Sequence, residues 1–99
     1  MVITGAGGHA QEIFTELNWL RYKAPLYFFD NTHCAPTILF GIPVLHNEVQ
    51  VREALLMDNN FVIGVGQPTL RELMFRQFTN WSAMPYTLLS AYSAIGDYN

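Results

Sequence analysis

The chain has 99 residues, 51% of them hydrophobic, enough for one small domain with a modest core and too few for two. Five Lys plus Arg against eight Asp plus Glu give a formal charge of −3, so the electrostatic footprint of a nucleic-acid binder is absent. The single cysteine, Cys34, excludes an internal disulfide, and no signal peptide, lipidation box or apolar run of about 18 residues appears; this predicts a cytoplasmic protein with no membrane partner.

The chain opens with MVITGAGGHAQEIF. Met1 to Thr4 read as a strand and Gly5, Gly7 and Gly8 as a turn. Ala10, Ile13, Leu17 and Leu20 form an apolar face at helical spacing, predicting a helix near 9–20. A strand that runs through glycines into a helix leaves backbone N–H groups unpaired at the helix start. With the helix dipole, these favour an anion such as a phosphate. Residues 5–10 also satisfy the G-x-G-x-x-G/A dinucleotide pattern, with Asp30 about 25 residues after Gly5 near the end of a second apolar run. The same pattern permits a turn that is glycine-rich only for tight packing.

Leu26 to Phe29 form that second run, and a loop follows from about Asp30 to Phe40. Asp30 and Asn31 suit either a ligand-facing strand end, where a carboxylate accepts from ribose hydroxyls or a base N–H, or an ordinary turn. Ile42 to Leu45 can be only a short or edge strand, because Pro43 lacks a donor. Asn47 is a fitting N-cap for a helix running to about Met57. Phe61 to Val65 are apolar throughout, as in a parallel strand covered on both faces, and Pro68 suits a first helical turn. Leu70, Leu73, Met74, Phe78 and Trp81 recur at helical spacing and predict a core-facing stripe. Tyr86 to Leu89 read as one more strand. Strands alternating with helices predict a small Rossmann-like α/β domain, a doubly wound parallel sheet over residues 1–89 with the loops after its strands at one edge.

The tail SAYSAIGD, with Leu89 and Ile95 spaced as in a hexapeptide coil, has the rhythm of a left-handed β-helix. One partial turn cannot bury a core alone, so residues 90–99 read either as the first turn of a truncated solenoid or as a frayed extension. Neither His33 nor His46 has metal-ligand spacing to Cys34 or to the other; both read as surface residues, and no metal is predicted. His9, at a helix start, can donate to a ligand. Catalysis by it would need an orienting partner that the sequence does not identify.

Taken together, VITGAGGHAQEI, FFDN, GIPVL, FVIGVGQPTLRE and SAIGD, in this order and spacing, resemble the N-terminal domain of the bacterial sugar O-acyltransferases of the sialic acid O-acetyltransferase family. Within it the chain is most similar to the group that N-acetylates nucleotide-linked 4-amino sugars. The resemblance implies a Rossmann-like domain that binds a UDP- or dTDP-sugar, preceding a β-helix that holds the co-substrate acetyl-CoA and a catalytic histidine, in a homotrimer. It implies that Gly5, Gly7, Gly8 and His9 form the loop near the nucleotide-sugar, Asp30 and Asn31 the nucleoside-contacting pair, and Gly64 and Gly66 the second loop. Arg71 matches an arginine usual in the following helix. By the same resemblance, residues 1–99 hold no catalytic residue or cofactor of their own and are inactive and monomeric alone. Two other readings stay open: an NAD(P)-binding fragment of an oxidoreductase, and a nucleotide sensor without a catalytic half.

Overall fold

The computed structural model describes residues 1–32 and 35–86. The elements in chain order are β1 (Val2–Thr4), α1 (Gly8–Trp19), β2 (Tyr27–Phe29), β3 (Ile38–Leu39), β4 (Ile42–Leu45), α2 (Glu48–Met57), β5 (Asn60–Ile63), α3 (Pro68–Asn80) and β6 (Met84–Pro85). They build one sheet in the order β3-β4-β2-β1-β5-β6. All pairings are parallel except β3 with β4, so the sheet is mixed rather than wholly parallel as expected.

That difference comes from a hairpin inside the stretch expected to be loop. Phe40 and Gly41 turn it with φ of 53° and 79°, the paired left-handed conformations whose twist matches antiparallel strands. Phe40 stacks its exposed ring on Phe14, with ring centroids 5.3 Å apart and planes 13° from parallel. Because β3 takes the outer place, β4 is short, as Pro43 requires, but is not the sheet edge.

The chain leaves β1 toward β2 on one side of the sheet, and leaves β4 and β5 toward the other. Right-handed crossovers then demand α1 on one face and α2 and α3 on the other. The core divides accordingly. Ile3, Phe28 and Val44 pack with Ala10, Ile13 and Leu17 of α1. Their sequence neighbours Val2, Phe29 and Leu45, pointing the other way, pack with Val51 and Leu55 of α2, Phe61 of β5, and Met74 and Phe78 of α3. Phe28, Phe61 and Phe78 are fully buried. The α3 stripe is narrower than its periodicity suggests: Met74 and Phe78 are buried, Trp81 packs at the margin, and Leu70 and Leu73 are exposed. The last strand lies at Met84–Pro85, and Tyr86 continues it with an N–H to Phe61 O bond of 2.8 Å. Residues 87–89 of the expected strand, the expected β-helix turn at 90–99, His33 and Cys34 lie outside the described residues.

One polar cluster closes the edge where the parallel strands begin. The Met1 ammonium donates to Asp58 Oδ2 at 2.9 Å and Pro25 O at 3.1 Å, and Tyr22 Oη donates to the same carboxylate oxygen at 2.7 Å. Asn60 Nδ2 donates to Asp58 Oδ1 and Tyr22 Oη. Partial burial alone would raise the Asp58 carboxyl, but hydrogen bonds from the ammonium and Tyr22 outweigh it and hold the carboxyl below its ordinary value. Burial first, then the bond to Asp58, pushes the Tyr22 hydroxyl well up.

Asp58→Asn should therefore destabilise the domain by about 1.5–3 kcal/mol in urea denaturation at neutral pH. The sign in acid follows from the depressed carboxyl. Its contribution is present above the unfolded Asp value of about 3.9 and is lost as pH falls through the folded value, so the parent and variant stability curves should converge in acid. A gap that persisted once the carboxyl was fully protonated would assign the loss to packing instead.

Candidate functional site

Five parallel strands, β1, β2, β4, β5 and β6, end at one edge of the sheet. The crevice where the strand order reverses lies between β1 and β5, flanked by the turn 5–7 into α1 and the turn 64–67 into α3.

These two turns are locked together. Gly64 N–H donates to the buried Thr4 Oγ1 at 3.0 Å. A Cβ on Gly64 would collide with Thr4 O and lie 2.9 Å from Ala10 Cβ. Gly5 sits at φ +88°, and a Cβ there would meet Val65 Cγ1 at 2.9 Å and Gly64 O at 3.2 Å. Gly5 N–H also donates to Phe29 O, which fastens the first turn to the end of β2. Gly5 and Gly64 are thus required by the close approach of backbone to backbone.

Gly7, Gly8 and Gly66 differ. All are exposed, none has a positive φ, and a Cβ on any of them would meet nothing within 4 Å. Nothing within the described protein demands glycine there. Over Gly7 and Gly8 the start of α1 lies open: among the described residues it has no side-chain cap and no acidic residue in its first turn. The other two helices are capped, α2 by Asn47 Oδ1 on Gln50 N–H at 2.9 Å and α3 by Gln67 Oε1 on Leu70 N–H at 2.6 Å. Gln11 braces the open turn by donating from Nε2 to Ala6 O at 3.1 Å. The first intrahelical bond, Gln11 N–H to Gly7 O, leaves the N–H groups of Gly8, His9 and Ala10 ahead of the helical ladder.

Of the other predicted site residues, His9 is exposed at the same helix start. Arg71 donates from Nη1 to Val65 O at 3.0 Å, which ties the second turn to α3. His9 and Arg71 line one cleft of about 380 Å³ beside β5, walled by Ile63, Phe75 and Tyr86. Asp30, at the end of β2, is anchored: its N–H donates to Leu45 O at 3.0 Å, and its Oδ1 accepts from Thr32 N–H at 2.9 Å in an Asx turn. Asn31 stands apart, exposed on the rim of a depression along α3 with Leu70 and Leu73.

Sequence reasoning passed over two residues. Thr4 is the buried polar residue that joins the turns; its signal was a hydroxyl closing an otherwise apolar strand. His46, expected on the surface, is half-buried, and its Nδ1 lies 3.0 Å from Asp30 O. Among the described residues no group of three His, Cys, Asp or Glu side chains is placed to hold a metal ion, and no helix is long and apolar enough to cross a membrane.

Compared with known families, residues 1–78 match the one described as the PglD N-terminal domain. The chain belongs to that family. PglD itself is a nucleotide-sugar acetyltransferase, so the membership agrees with the resemblance carried by the glycine turns, FFDN and GIPVL. No curated protein and no solved structure gives a match.

The two kinds of glycine should separate in stability measurements. Gly64→Ala should lower stability by about 1–3 kcal/mol through overpacking against Thr4 and Ala10. Gly5→Ala should lose at least about 1–2 kcal/mol from its left-handed backbone alone. Gly7→Ala, at the N-cap of α1, should cost less than either, about 0.5–1 kcal/mol. Thermal denaturation of the three variants gives the comparison, and a large loss for Gly7→Ala would reveal an internal role for that residue.

Proposed function

We propose that this chain is the nucleotide-sugar-binding part of an acetyl-CoA-dependent acetyltransferase, acting on a UDP- or dTDP-linked amino sugar in cytoplasmic steps of surface-glycan biosynthesis. The observation that carries the reading is the start of α1. Its N–H groups carry no side-chain cap, and a Cβ on either of the glycines above them, Gly7 and Gly8, would meet nothing among the described residues. A diphosphate laid there would satisfy those donors and face the positive end of the helix dipole. Family membership supports the choice of a nucleotide-sugar over other phosphorylated ligands.

In this reading Gly5 and Gly64 shape the crevice, while Gly7, Gly8 and Gly66 leave backbone open to the ligand. His9 and Arg71 face it from the two flanking helices, and Asp30 meets the nucleoside from the end of β2, with Asn31 reaching it only from the rim toward α3. The hexapeptide-like spacing of Leu89 and Ile95 supports taking residues 90–99 as the opening of the β-helix that would hold acetyl-CoA, the catalytic base and the trimer contacts.

Titration calorimetry with UDP- and dTDP-sugars tests the assignment. Binding by the parent chain, lost in Gly7→Val with only a small fall in melting temperature, is the expected result, because a side chain there meets nothing among the described residues and obstructs the approach to the helix start. Tight binding of NADH with none of either nucleotide-sugar would transfer the chain to the oxidoreductase reading.

Residues 1–99 alone should release no thiol from acetyl-CoA in the presence of a 4-amino nucleotide-sugar. Measurable turnover would place a catalytic group within this domain, and His9 would be the first candidate.

A further inference from the structure

His46 follows the last residue of β4 and is held from two directions. Its backbone N–H donates to Gln50 Oε1 at 2.7 Å, which fixes it to the first turn of α2. Its ring Nδ1 lies 3.0 Å from Asp30 O. A carbonyl oxygen only accepts, so Nδ1 must carry the proton, and in the neutral ring the lone pair lies on Nε2. Nε2 is enclosed and has no hydrogen-bond partner among the described residues. The ring therefore has one polar contact there, and that contact is with Asp30.

Asp30 is in turn the residue where β2 gives way to the segment leading to β3. Its N–H goes to Leu45 O, its carbonyl to His46 and its Oδ1 to Thr32 N–H. Only Oδ2 is without a partner among the described residues. Fixing the carbonyl fixes the plane of the 30–31 peptide and the direction in which Asn31 leaves the strand, and the Thr32 N–H bond to Oδ1 then sets the carboxylate, and with it Oδ2, against that held turn.

We propose that His46 is a positioning residue of the nucleoside end of the site: its Nδ1–H holds the Asp30 peptide so that the free carboxylate oxygen is preset to accept from a ribose hydroxyl or a base N–H. The inference rests on the proposed nucleotide-sugar function for its ligand, and on the Asp30 geometry for everything else. Presetting an acceptor removes the ordering cost that a mobile strand end would add on binding.

The experiment has a part that needs no ligand. In the ¹⁵N-histidine-labelled chain, long-range ¹H–¹⁵N spectra should show His46 as the Nδ1–H tautomer, its signals assigned by their loss in His46→Asn. An Nε2–H tautomer would overturn the proposal whatever the chain binds.

The second part is titration of UDP- and dTDP-sugars into the parent, His46→Asn, His46→Gln and His46→Ala, with thermal melts to confirm that each folds. Asn places an amide N–H near the position of Nδ1, whereas Gln reaches toward that of Nε2. The expected pattern is near-parent affinity for Asn and about 3–10-fold weaker binding for Gln and Ala, the range that one lost hydrogen bond supports. Equal losses in all three variants would make the ring a packing element, and unchanged affinity in all three would remove it from the site; either overturns the proposal. If the parent binds neither sugar while the tautomer is as expected, the functional reading fails and the ligand role of His46 falls with it, leaving a purely structural clamp on Asp30.

Discussion

The closest constraint in the molecule is the approach of the β5 end to the β1 end. Thr4 Oγ1 accepts the Gly64 N–H, and the space between them admits no Cβ. This contact sets the separation of the two helix-opening turns, hence the width of the crevice between α1 and α3. Gly5 is pressed into its left-handed conformation against the same turn, and its N–H reaches across to Phe29 O. The ends of β5, β1 and β2 are thus joined in series before any ligand is considered, and Arg71 and Asp30 inherit their positions from them.

The two edges of the sheet carry opposite chemistry. Where the parallel strands begin, the polar groups of the Asp58 cluster partner one another: the ammonium, the tyrosine hydroxyl and the asparagine amide converge on one carboxylate. Where they end, α1 starts without a side-chain cap among the described residues, whereas α2 and α3 each have one. Satisfied groups at one edge add stability, and unsatisfied ones at the other forgo it, since a side-chain cap contributes about 0.5–2 kcal/mol. A helix that forgoes its cap at the reversal point of a parallel sheet is placed where an external acceptor can supply it.

The fold was legible wherever periodicity and turn chemistry agreed. Asn47 as a cap, Pro68 at the first turn of α3 and the buried Ala10–Ile13–Leu17 face all follow from local rules, and the structure contains them. The β3 hairpin did not show, because two residues carry no alternation and Phe40 is not a residue expected at positive φ. Helical spacing overstated the α3 core. Met74 and Phe78 reach the core, whereas Leu70 and Leu73 lie open on a depression that Asn31 rims from the end of β2. At the site, the dipeptide-level pattern could not separate glycines that the backbone needs from glycines that it does not. Gly5 and Gly7 are equivalent in G-x-G-x-x-A, yet one is jammed against Val65 and the other faces open space. His46 was missed for a related reason: the bond that defines it spans 16 positions and joins two neighbouring strand ends.

What the crevice offers a ligand is mostly backbone. Among the described residues the His9 ring is exposed and has no hydrogen-bond partner to fix it in one tautomer, as a histidine acting as a general base needs. The Asp30 carboxylate is divided between an internal turn and a single free oxygen, and Arg71 spends one donor on Val65 O. Main-chain N–H groups at a helix start, a guanidinium and one anchored acceptor are suited to hold charge and hydroxyls in place. Such an arrangement gains from rigidity and loses from reorganisation, because each donor aimed in advance spares the ligand the entropy of aiming it. In the proposed reading, the Gly64–Thr4 contact, which joins the two turns, therefore serves binding as much as packing.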